Sequence, residues 1–341
     1  MSAWVRNGVL MGADELVAEL GGDLTALRRE VGLDRSPLDD PDFPIPATAV
    51  VEFLERAASV CACEAFGLLL SQHQDFSIFG PLWPFFRSAS TVGEMLHDLA
   101  DFFPVHTQGA LVAVEKTSDG AALRYDLAAG VAQSRRQVIE LGFGFVATQL
   151  RRLRPNWQPS EVFFRHGPPA QLREHRRLLG QNLQFNADQN AILIDREMLS
   201  HAFGSDDANE RDELAVKFGT ARATLPGTFR TRAEIIVRGL LPFGRCDLAA
   251  AARMMRLSAR TLQRRLAAEQ TSFDQIVDKV RADLAVSYLR DSELTVAAVA
   301  EILQFSETSG LSRAFRRWYG LAPAQIRRRA GPDGSGGIQP H

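Results

Sequence analysis

Two stretches near the C-terminal end of the chain share one pattern of apolar and polar positions. In the stretch from Thr295 to Arg317, apolar residues at helical spacing predict a short helix that ends near Phe305. Thr295 is the expected cap of that helix, and Ser306 is the expected cap of a second one. The second helix is expected to turn Leu311, Ala314, Phe315 and Trp318 inward and Thr308, Ser309, Ser312, Arg313, Arg316 and Arg317 outward. Such a helix suits the DNA major groove, although a solvated basic surface helix fits this stretch equally well.

The stretch from Asp247 to Leu266 repeats this design upstream. Apolar positions predict one helix up to Met255, and Ser258 is the expected cap of the next helix. The outward face of that next helix carries Arg260, Gln263, Arg264 and Arg265. Repetition of a supersecondary unit is hard to obtain by chance, so it favours the DNA-binding interpretation. Between the copies, Phe273 to Leu289 predicts one amphipathic helix of roughly 26 Å, which can hold two reading helices near one DNA turn, about 34 Å, apart.

The preceding part of the chain mixes helical and strand-like patterns. Helical spacing covers Val9 to Leu20, Leu24 to Val31, Ala47 to Leu70, Val92 to Phe103, Arg135 to Leu153 with Ser134 as its cap, and Ala170 to Leu179. Strand patterns cover Leu111 to Val114, Ala121 to Leu127, Glu161 to Phe164, Leu183 to Phe185 and Ala191 to Ile194, and the first two predict a hairpin. The predicted fold class is an α+β N-terminal domain followed by an all-α domain with two helix-turn-helix motifs joined by a long helix.

Charge is unevenly distributed along the 341 residues. The whole chain has a formal net charge of −2, but residues 231–330 hold 17 basic and 10 acidic side chains, a net of +7. A basic excess at the helix-turn-helix end favours double-stranded DNA as the partner. The expected organisation is an effector-binding and dimerisation domain over residues 1–205, a linker over 206–230, a DNA-binding domain over 231–330 and a disordered tail over 331–341.

Composition and motifs narrow the function classes. The 45% hydrophobic and 23% charged residues are ordinary for a globular chain, and no signal peptide or run of eighteen apolar residues occurs, so we expect a cytoplasmic protein without a membrane partner. No nucleophile elbow, zinc-protease motif, P-loop or dinucleotide fingerprint is present, so neither an enzyme nor a cofactor is predicted. Cys61 and Cys63, near His73, predict no metal site, because residues two apart on a helix point about 200° from each other.

The segment from Phe76 to Ala110 is the most aromatic part of the chain. Core packing explains most of these rings, yet ligand pockets are also apolar with a few polar anchors. The side chains expected to contact a small molecule are Phe79, Trp83, Phe86, Arg87 and His106. Core and pocket both stay open as interpretations.

Several motifs follow one another in the C-terminal part. They are Ser258-Ala-Arg-Thr-Leu262-Gln-Arg264-Arg-Leu266, Thr271-Ser272-Phe273, Ala297 to Phe305, and Leu311-Ser-Arg313-Ala-Phe315-Arg-Arg-Trp-Tyr-Gly320-Leu-Ala-Pro323. Together they resemble the DNA-binding domain of AraC/XylS transcription regulators. The resemblance implies that bases are read by Arg260, Gln263 and Arg264 and by Thr308, Ser309, Ser312 and Arg313. It implies structural roles for Phe305, Phe315 and Pro323.

Three turn positions depart from that resemblance. Arg256, Gln270 and Gln304 stand where the family commonly has glycine, and they can be accommodated where φ stays negative. Gly310 lies inside the second reading helix, where it costs about 1 kcal/mol relative to Ala. Either it permits close approach to DNA or the helix is frayed, and both interpretations are open.

The N-terminal part carries a second resemblance. Its motifs are Phe79-Gly80, Thr91-Val-Gly-Glu-Met-Leu96, Val162-Phe-Phe-Arg-His166 and Gln184-Phe-Asn186-Ala-Asp-Gln-Asn190-Ala191. They are similar to the arabinose-binding-type effector domain of ornithine-utilisation and virulence regulators in the same family. The resemblance implies a sequence-specific regulator at promoter half-sites that responds to a small-molecule effector, forms a homodimer and meets RNA polymerase. The alternative is a DNA-binding regulator without a small effector, controlled by dimerisation or by a protein partner.

Overall fold

The computed structural model describes residues 3–34, 36, 40–82, 89–103, 106–107, 110–127, 135–203, 228–243, 246–255, 257–292 and 294–329. One compact unit comprises residues 1–34 and 41–224, and a second consists mainly of residues 225–341. Ser134, most of the linker expected over 206–230 and the tail expected over 331–341 lie outside the described residues. No helix in the described ranges has both the length and the hydrophobicity to cross a membrane.

The N-terminal unit contains two β-sheets. A small antiparallel pair joins β1, Trp4–Arg6, to β2, Pro44–Pro46. The strands of the main sheet are Ala110–Lys116 (β3), Gly120–Leu127 (β4), Glu161–Phe163 (β5), Leu183–Gln184 (β6) and Ala191–Asp195 (β7). Their order is β3-β4-β7-β5-β6, and all pairings are antiparallel except that of β5 with β6. The predicted hairpin is present as β3 and β4.

Helices form most of the remaining N-terminal unit. The described α-helices are Ala13–Glu19 (α1), Leu24–Glu30 (α2), Ala47–Val60 (α3), Phe66–Leu70 (α4), Val92–Phe102 (α5), Arg136–Leu153 (α6), Arg173–Leu179 (α7) and Arg196–Ser200 (α8), with 3-10 helices at Asn7–Leu10, Ser71–His73 and Phe76–Leu82. The core lies around α6, which is buried along most of its length and contacts α3, α4, α7 and β4. Asp23, Thr91 and Asp195 cap α2, α5 and α8, each accepting a hydrogen bond from a free backbone N–H of the first turn.

One predicted helix is interrupted. The pattern from Ala47 to Leu70 predicts a single helix, but α3 ends at Val60 and α4 begins at Phe66, with Ala62 between them in a left-handed conformation at φ +47°. Cys61 and Cys63 therefore lie in this half-exposed turn and not on a helix. The helical angle between them is thus no argument about a metal site.

The C-terminal unit is built from helices. The described ones are Phe229–Leu240 (α9), Leu248–Met254 (α10), Ala259–Ala268 (α11), Phe273–Asp291 (α12), Val296–Ile302 (α13), Thr308–Tyr319 (α14) and Pro323–Arg329 (α15), with a 3-10 turn at Leu241–Phe243. The pairs α10–α11 and α13–α14 are the two helix-turn-helix motifs, and α12 is the long helix between them. Polar side chains cap five of these starts: Thr228, Asp247, Ser258, Ser272 and Thr295.

The expected cap of α14 is wrong. Its N-cap is Glu307, which has extended dihedrals of φ −147° and ψ 152° and makes no side-chain capping bond. Ser306 lies one residue too early, outside the N-cap position from which a hydroxyl reaches the N–H groups of the first turn. Helix α14 nevertheless runs unbroken through Gly310, where an added Cβ would lie 3.4 Å from the Phe305 ring, so the structure places this glycine against the preceding turn.

The two glutamines at glycine-like turns do not keep negative φ. Gln270 has φ +56° and Gln304 has φ +60°. In both turns the chain closes with paired backbone bonds that require a left-handed residue, as in the bonds from Phe305 N to Ala300 O and from Gln304 N to Glu301 O. The Gln304 amide also donates to Leu241 O at 2.5 Å, which favours its position, whereas Gln270 is exposed. Arg256 lies outside the described residues.

Replacing Gln270 with Gly is expected to stabilise the C-terminal unit by about 0.5 to 1 kcal/mol. A left-handed non-glycine residue costs about 1 to 2 kcal/mol, and the added freedom of glycine in the unfolded chain offsets part of the relief. Gln304→Gly is the matched variant, and it should gain almost nothing because it also loses the bond to Leu241 O. Differential scanning calorimetry of the full chain measures the stability of both variants. An equal gain in the two would contradict the stabilising role of the bond from Gln304 to Leu241 O.

Candidate DNA-binding surface and candidate effector cavity

Helix α11 presents a polar face to solvent. Arg260, Gln263 and Arg264 are exposed, as predicted, while Leu262 and Leu266 are fully buried. Helix α11 packs against α9 and α10, so its exposed face is held on a fixed support. The neighbouring Arg265 is also exposed, but its guanidinium lies 5.4 Å from the centre of the Phe229 ring. Arg260, Gln263 and Arg264 make no hydrogen bond or ion pair with another described residue, so this face offers two arginines and a glutamine, side chains that match guanine and adenine edges.

Helix α14 presents a second polar face. Its inward residues Leu311, Ala314, Phe315 and Trp318 are buried as predicted, together with Tyr319. Thr308, Ser309, Arg313 and Arg316 are exposed, and Ser312 is half-buried. Ser309 donates a hydrogen bond to Glu307 at 3.0 Å and accepts a longer one from Arg313 at 3.4 Å. Part of this face is thus engaged in bonds within the helix start.

Arg317 is tied to the long helix. Its Nη2 lies 2.6 Å from Asp278 Oδ1, and the indole of Trp318 donates to Asp278 Oδ2 at 3.0 Å. Asp278 belongs to α12, so this carboxylate connects α14 to the helix between the two motifs. Asp278 was not predicted from the sequence, because a single acidic residue within an amphipathic helix gives no signal of a contact about forty positions away.

Arg281, also on α12, holds the turn of the second motif. It donates to Leu303 O at 3.0 Å and to Gln304 O at 3.4 Å, and its guanidinium lies 4.9 Å from the Phe305 ring centre. Burial lowers the pKa of Arg281 from its ordinary value. Together with Asp278, it fixes the position of α13 and α14 on α12.

The N-terminal unit contains a partly open cavity. The space open to the centre of a water molecule is about 80 Å³, whereas one water needs about 10 to 15 Å³ by the same measure. The described lining residues are Val5, Val9, Ala47, Val50, Val51, Gln74, Ile78, Phe79, Leu99, Phe103, His106, Thr107, Val112, Leu123, Tyr125, Leu127, Val138, Leu141, Gly142, Phe143, Phe145 and Val146. They come from β3, β4, α3, α5, α6 and the segments around them, so this space lies between the sheet and the helices.

Two of the five predicted effector-contacting residues line this cavity. Phe79 and His106 lie with their rings 4.8 Å apart, and Phe145 is 5.8 Å from Phe79. Trp83, Phe86 and Arg87 lie outside the described residues. Tyr125 of β4 also lines the cavity and was not predicted from the sequence, because a strand pattern does not show which face of the sheet points to a cavity.

Two polar side chains of the cavity are the buried His106 and the half-buried Tyr125. Burial, with Arg6 nearby, lowers the pKa of His106 to about 3, and the imidazole Nδ1 has no hydrogen-bond partner. Burial, with Asp126 nearby, raises the pKa of Tyr125, whose hydroxyl receives no hydrogen bond from any described residue. Both side chains are therefore neutral at pH 7, and within the described part of the chain neither Nδ1 of His106 nor the hydroxyl of Tyr125 is hydrogen-bonded.

The stability of the N-terminal unit is expected to fall as the pH drops from 7 to 5.5, with about 1 kcal/mol of that loss due to His106. In the unfolded chain this imidazole binds a proton below about pH 6.5, whereas the folded one stays neutral down to about pH 3, so acid favours the unfolded state. His106→Phe should remove the part of the acid-induced loss of stability that is due to His106. Denaturant unfolding of both chains at several pH values measures it, and an unchanged pH dependence in the variant would contradict the buried neutral histidine.

A second polar cluster is buried beside α6. The fully buried Glu140 has its Oε1 2.9 Å from Arg136 Nε, 2.9 Å from His175 Nε2 and 3.5 Å from His166 Nε2. Burial lowers the pKa of His166. In the described ranges no group of three or more His, Cys, Asp or Glu side chains is arranged to hold a metal ion. The ion pair with Arg136 is what compensates the buried carboxylate.

Comparison with known proteins assigns both units. The model of the arabinose-binding domain of AraC transcription regulators matches residues 21–203, more than half of the chain, and a helix-turn-helix domain model matches residues 251–329. The HTH-type transcriptional regulator VirS of Mycobacterium tuberculosis is 28% identical over 339 residues, which cover 98% of this chain and 99% of VirS.

Two proteins of Pseudomonas aeruginosa are also similar. The ornithine utilization regulator is 26% identical over 330 residues, 92% of this chain and 93% of its own length. The HTH-type transcriptional regulator VqsM is 37% identical over 101 residues, 30% of this chain and 31% of its own length. These relatives are transcription regulators and not enzymes. With its N-terminal domain and its two helix-turn-helix motifs, this chain belongs to the AraC family of DNA-binding transcription regulators.

Proposed function

We propose that this regulator controls transcription in response to a small molecule bound in the cavity of its N-terminal unit. Residues 1–205 hold the effector and contact a second copy of the chain, residues 206–230 connect the units, residues 231–330 bind promoter DNA, and residues 331–341 are a tail. The observation that supports this best is the pair of exposed polar faces, on α11 and α14, attached to one continuous helix of 19 residues.

The length of that helix suits two adjacent sites on DNA. Nineteen residues of α-helix span about 28 Å, close to the roughly 34 Å of one DNA turn. Helices α11 and α14 can then enter successive segments of the major groove on one side of the duplex. Each chain recognises two short sequence blocks in this arrangement, and a homodimer recognises tandem half-sites.

The two reading helices have different shares in specificity. On α11, Arg260, Gln263 and Arg264 offer long donors for base edges. On α14, base reading falls to Thr308, Ser309, Ser312 and Arg313, and Arg316 contacts phosphate. Because Ser309 is bonded to Glu307 and Arg313, α14 reads fewer bases than α11. We also include Arg317 in the surface, where its bond to Asp278 orients α14 as long as it stays intact.

Effector binding changes DNA binding through a difference in affinity between two states. A ligand can shift dimer geometry or packing only by the amount that it prefers one state over the other. The DNA-bound state then meets RNA polymerase at the promoter, in the cytoplasm where chromosomal DNA lies. In the alternative, the regulator binds no small effector and is controlled by dimerisation or by a protein partner. It uses the same DNA-binding surface and differs only in lacking effector binding.

Selection of random-sequence duplexes on the full chain tests the DNA half of the proposal. We expect an enriched motif with two conserved blocks whose centres lie about 10 to 10.5 base pairs apart, because one chain carries two reading helices. Competition with unselected duplexes at the same salt concentration provides the specificity ratio. Enrichment of one block only, or no enrichment, would contradict the proposal that both helices read bases.

A further inference from the structure

We infer that the cavity of the N-terminal unit takes an uncharged, mostly apolar molecule with a single hydroxyl or carbonyl group, and not a sugar, an amino acid or an ionised carboxylate. This inference rests on the proposed function, in which the same cavity holds the effector.

Among the described residues, the lining of the cavity holds no charged side chain that could pair with an ionised ligand. Of the 22 described residues around the cavity, 18 are apolar or glycine, and none is Asp, Glu, Lys or Arg. An ionised ligand would leave water without a counter-charge, which disfavours its binding strongly. Arg6, the cation closest in sequence to the lining residue Val5, is itself paired with Asp42 at 2.6 Å. Carboxylates, amines and amino acids therefore fit this space poorly.

Few polar atoms are available for hydrogen bonds. The polar lining residues are Gln74, His106, Thr107 and Tyr125. The Gln74 amide already donates to Val9 O at 2.7 Å, and Thr107 has an interaction of its own. Within the described ranges, the hydroxyl of Tyr125, the imidazole of His106 and the amide oxygen of Gln74 remain without a hydrogen-bond partner. Two such groups satisfy one hydroxyl or carbonyl, whereas most hydroxyls of a sugar would be buried without partners.

The neutral state of His106 agrees with this chemistry. Because burial keeps the imidazole unprotonated at pH 7, it can accept a hydrogen bond from a ligand hydroxyl or donate one to a carbonyl without placing a charge in the cavity. The phenol of Tyr125 is likewise uncharged and can serve in either direction. Both groups recognise polarity and not charge.

The space is large enough for a small apolar ligand. The centre of a water molecule can move within about 80 Å³ of the cavity. Adding the radius of the water molecule around that space gives a cavity volume of roughly 300 Å³, which is the lower end of the range for ligand pockets. The rings of Phe79, Phe103 and Phe143 form part of its wall. A short alkyl or aromatic body with one oxygen function fills this volume.

A matched set of probes tests the inference on the full chain at pH 7.5. By titration calorimetry we expect 1-octanol to bind at least tenfold more tightly than octanoate or octylammonium, which share its alkyl chain, and L-arabinose and L-ornithine not to bind. Comparable affinity for octanoate, binding of arabinose or ornithine, or no binding of 1-octanol would overturn the inference.

Two variants locate the binding. Tyr125→Phe removes only the hydroxyl, which makes no hydrogen bond with a described residue, and should weaken 1-octanol binding about fivefold or more. Val112→Phe should fill the space from the half-exposed strand β3 and weaken 1-octanol binding at least tenfold. Octanol affinity unchanged in Tyr125→Phe would overturn the assigned anchor, even if Val112→Phe did not fold.

DNA binding with and without each probe separates this inference from the proposed function. If 1-octanol binds as expected but the selected duplex is bound equally with and without it, the cavity chemistry stands and effector control fails. If arabinose, ornithine or octanoate changes DNA binding and 1-octanol does not, effector control stands and this inference fails.

Discussion

Replacing Arg264 with Ala is expected to weaken binding to the selected duplex by about 1 to 3 kcal/mol and to relax specificity at one base pair. Arg264 is exposed on α11 and makes no hydrogen bond or ion pair with another described residue, so its guanidinium is free to donate two bonds to one guanine. Dissociation constants are to be measured on the selected duplex, on its single-base variants and on unselected DNA, all at one salt concentration.

Arg265→Ala is the matched control, since it removes the same charge from the next position of the same helix. Its guanidinium lies over the Phe229 ring, so its contribution to DNA binding is expected to be the long-range attraction that every sequence shares. Arg265→Ala should thus weaken all duplexes to a similar small extent. If Arg264→Ala also weakened all duplexes equally, the assignment of Arg264 to base reading would be refuted.

For Arg264 and Arg265, the exposure of the side chain could be predicted from the sequence, but the contacts that it makes could not. Helical periodicity is local, so it identified the buried residues of α14 and the exposed residues of α11. Both Arg264 and Arg265 appeared on the outward face for the same reason. Only the structure shows that α9 brings Phe229 under one of them, because that contact joins positions 36 residues apart in the chain.

The positive φ angles of Gln270 and Gln304 were also not predicted from the sequence. A glutamine at a glycine-like position argues for negative φ when only the backbone preference is considered. Gln304 adopts φ +60° because the backbone bonds that close its turn require it, as they do at Gln270, and two tertiary contacts stabilise it there: its amide donates to Leu241 O, and Arg281 donates to its carbonyl. The two contacts that set Gln304 apart from Gln270 come from α12 and from the turn after α9, which no sequence window around Gln304 contains.

Only part of the cavity lining could be predicted from the sequence. The aromatic segment pointed to Phe79 and His106 because clustering along the sequence is visible, and both line the space. Tyr125 and Phe143 lie on β4 and α6, and each also fits an ordinary core position. Whether a core position faces packed atoms or open space depends on how the sheet and helices meet, so the available polar groups, and with them the class of ligand, follow only from the fold.

Replacing Phe315 with Ala is expected to destabilise the second helix-turn-helix motif by about 3 to 5 kcal/mol. The ring is fully buried, with ring centres of Tyr319 at 4.9 Å and Trp318 at 6.4 Å, so its removal leaves a cavity in the middle of α14's inner face. A loss of that size is a large part of the 5 to 15 kcal/mol that typically stabilises a folded unit. Hydrogen exchange of the amides in residues 308–319 measures the opening free energy within the full chain.

Phe315→Ala and Arg264→Ala are expected to affect DNA binding differently. When α14 opens, all its contacts are lost together, so binding to the selected duplex falls at every base of the second block, whereas Arg264→Ala affects one base pair of the first. Phe315→Leu keeps an apolar side chain of similar volume and should cost less than about 1.5 kcal/mol with the motif preserved. Full amide protection of α14 in Phe315→Ala would show that the buried ring does not hold the second reading helix in place.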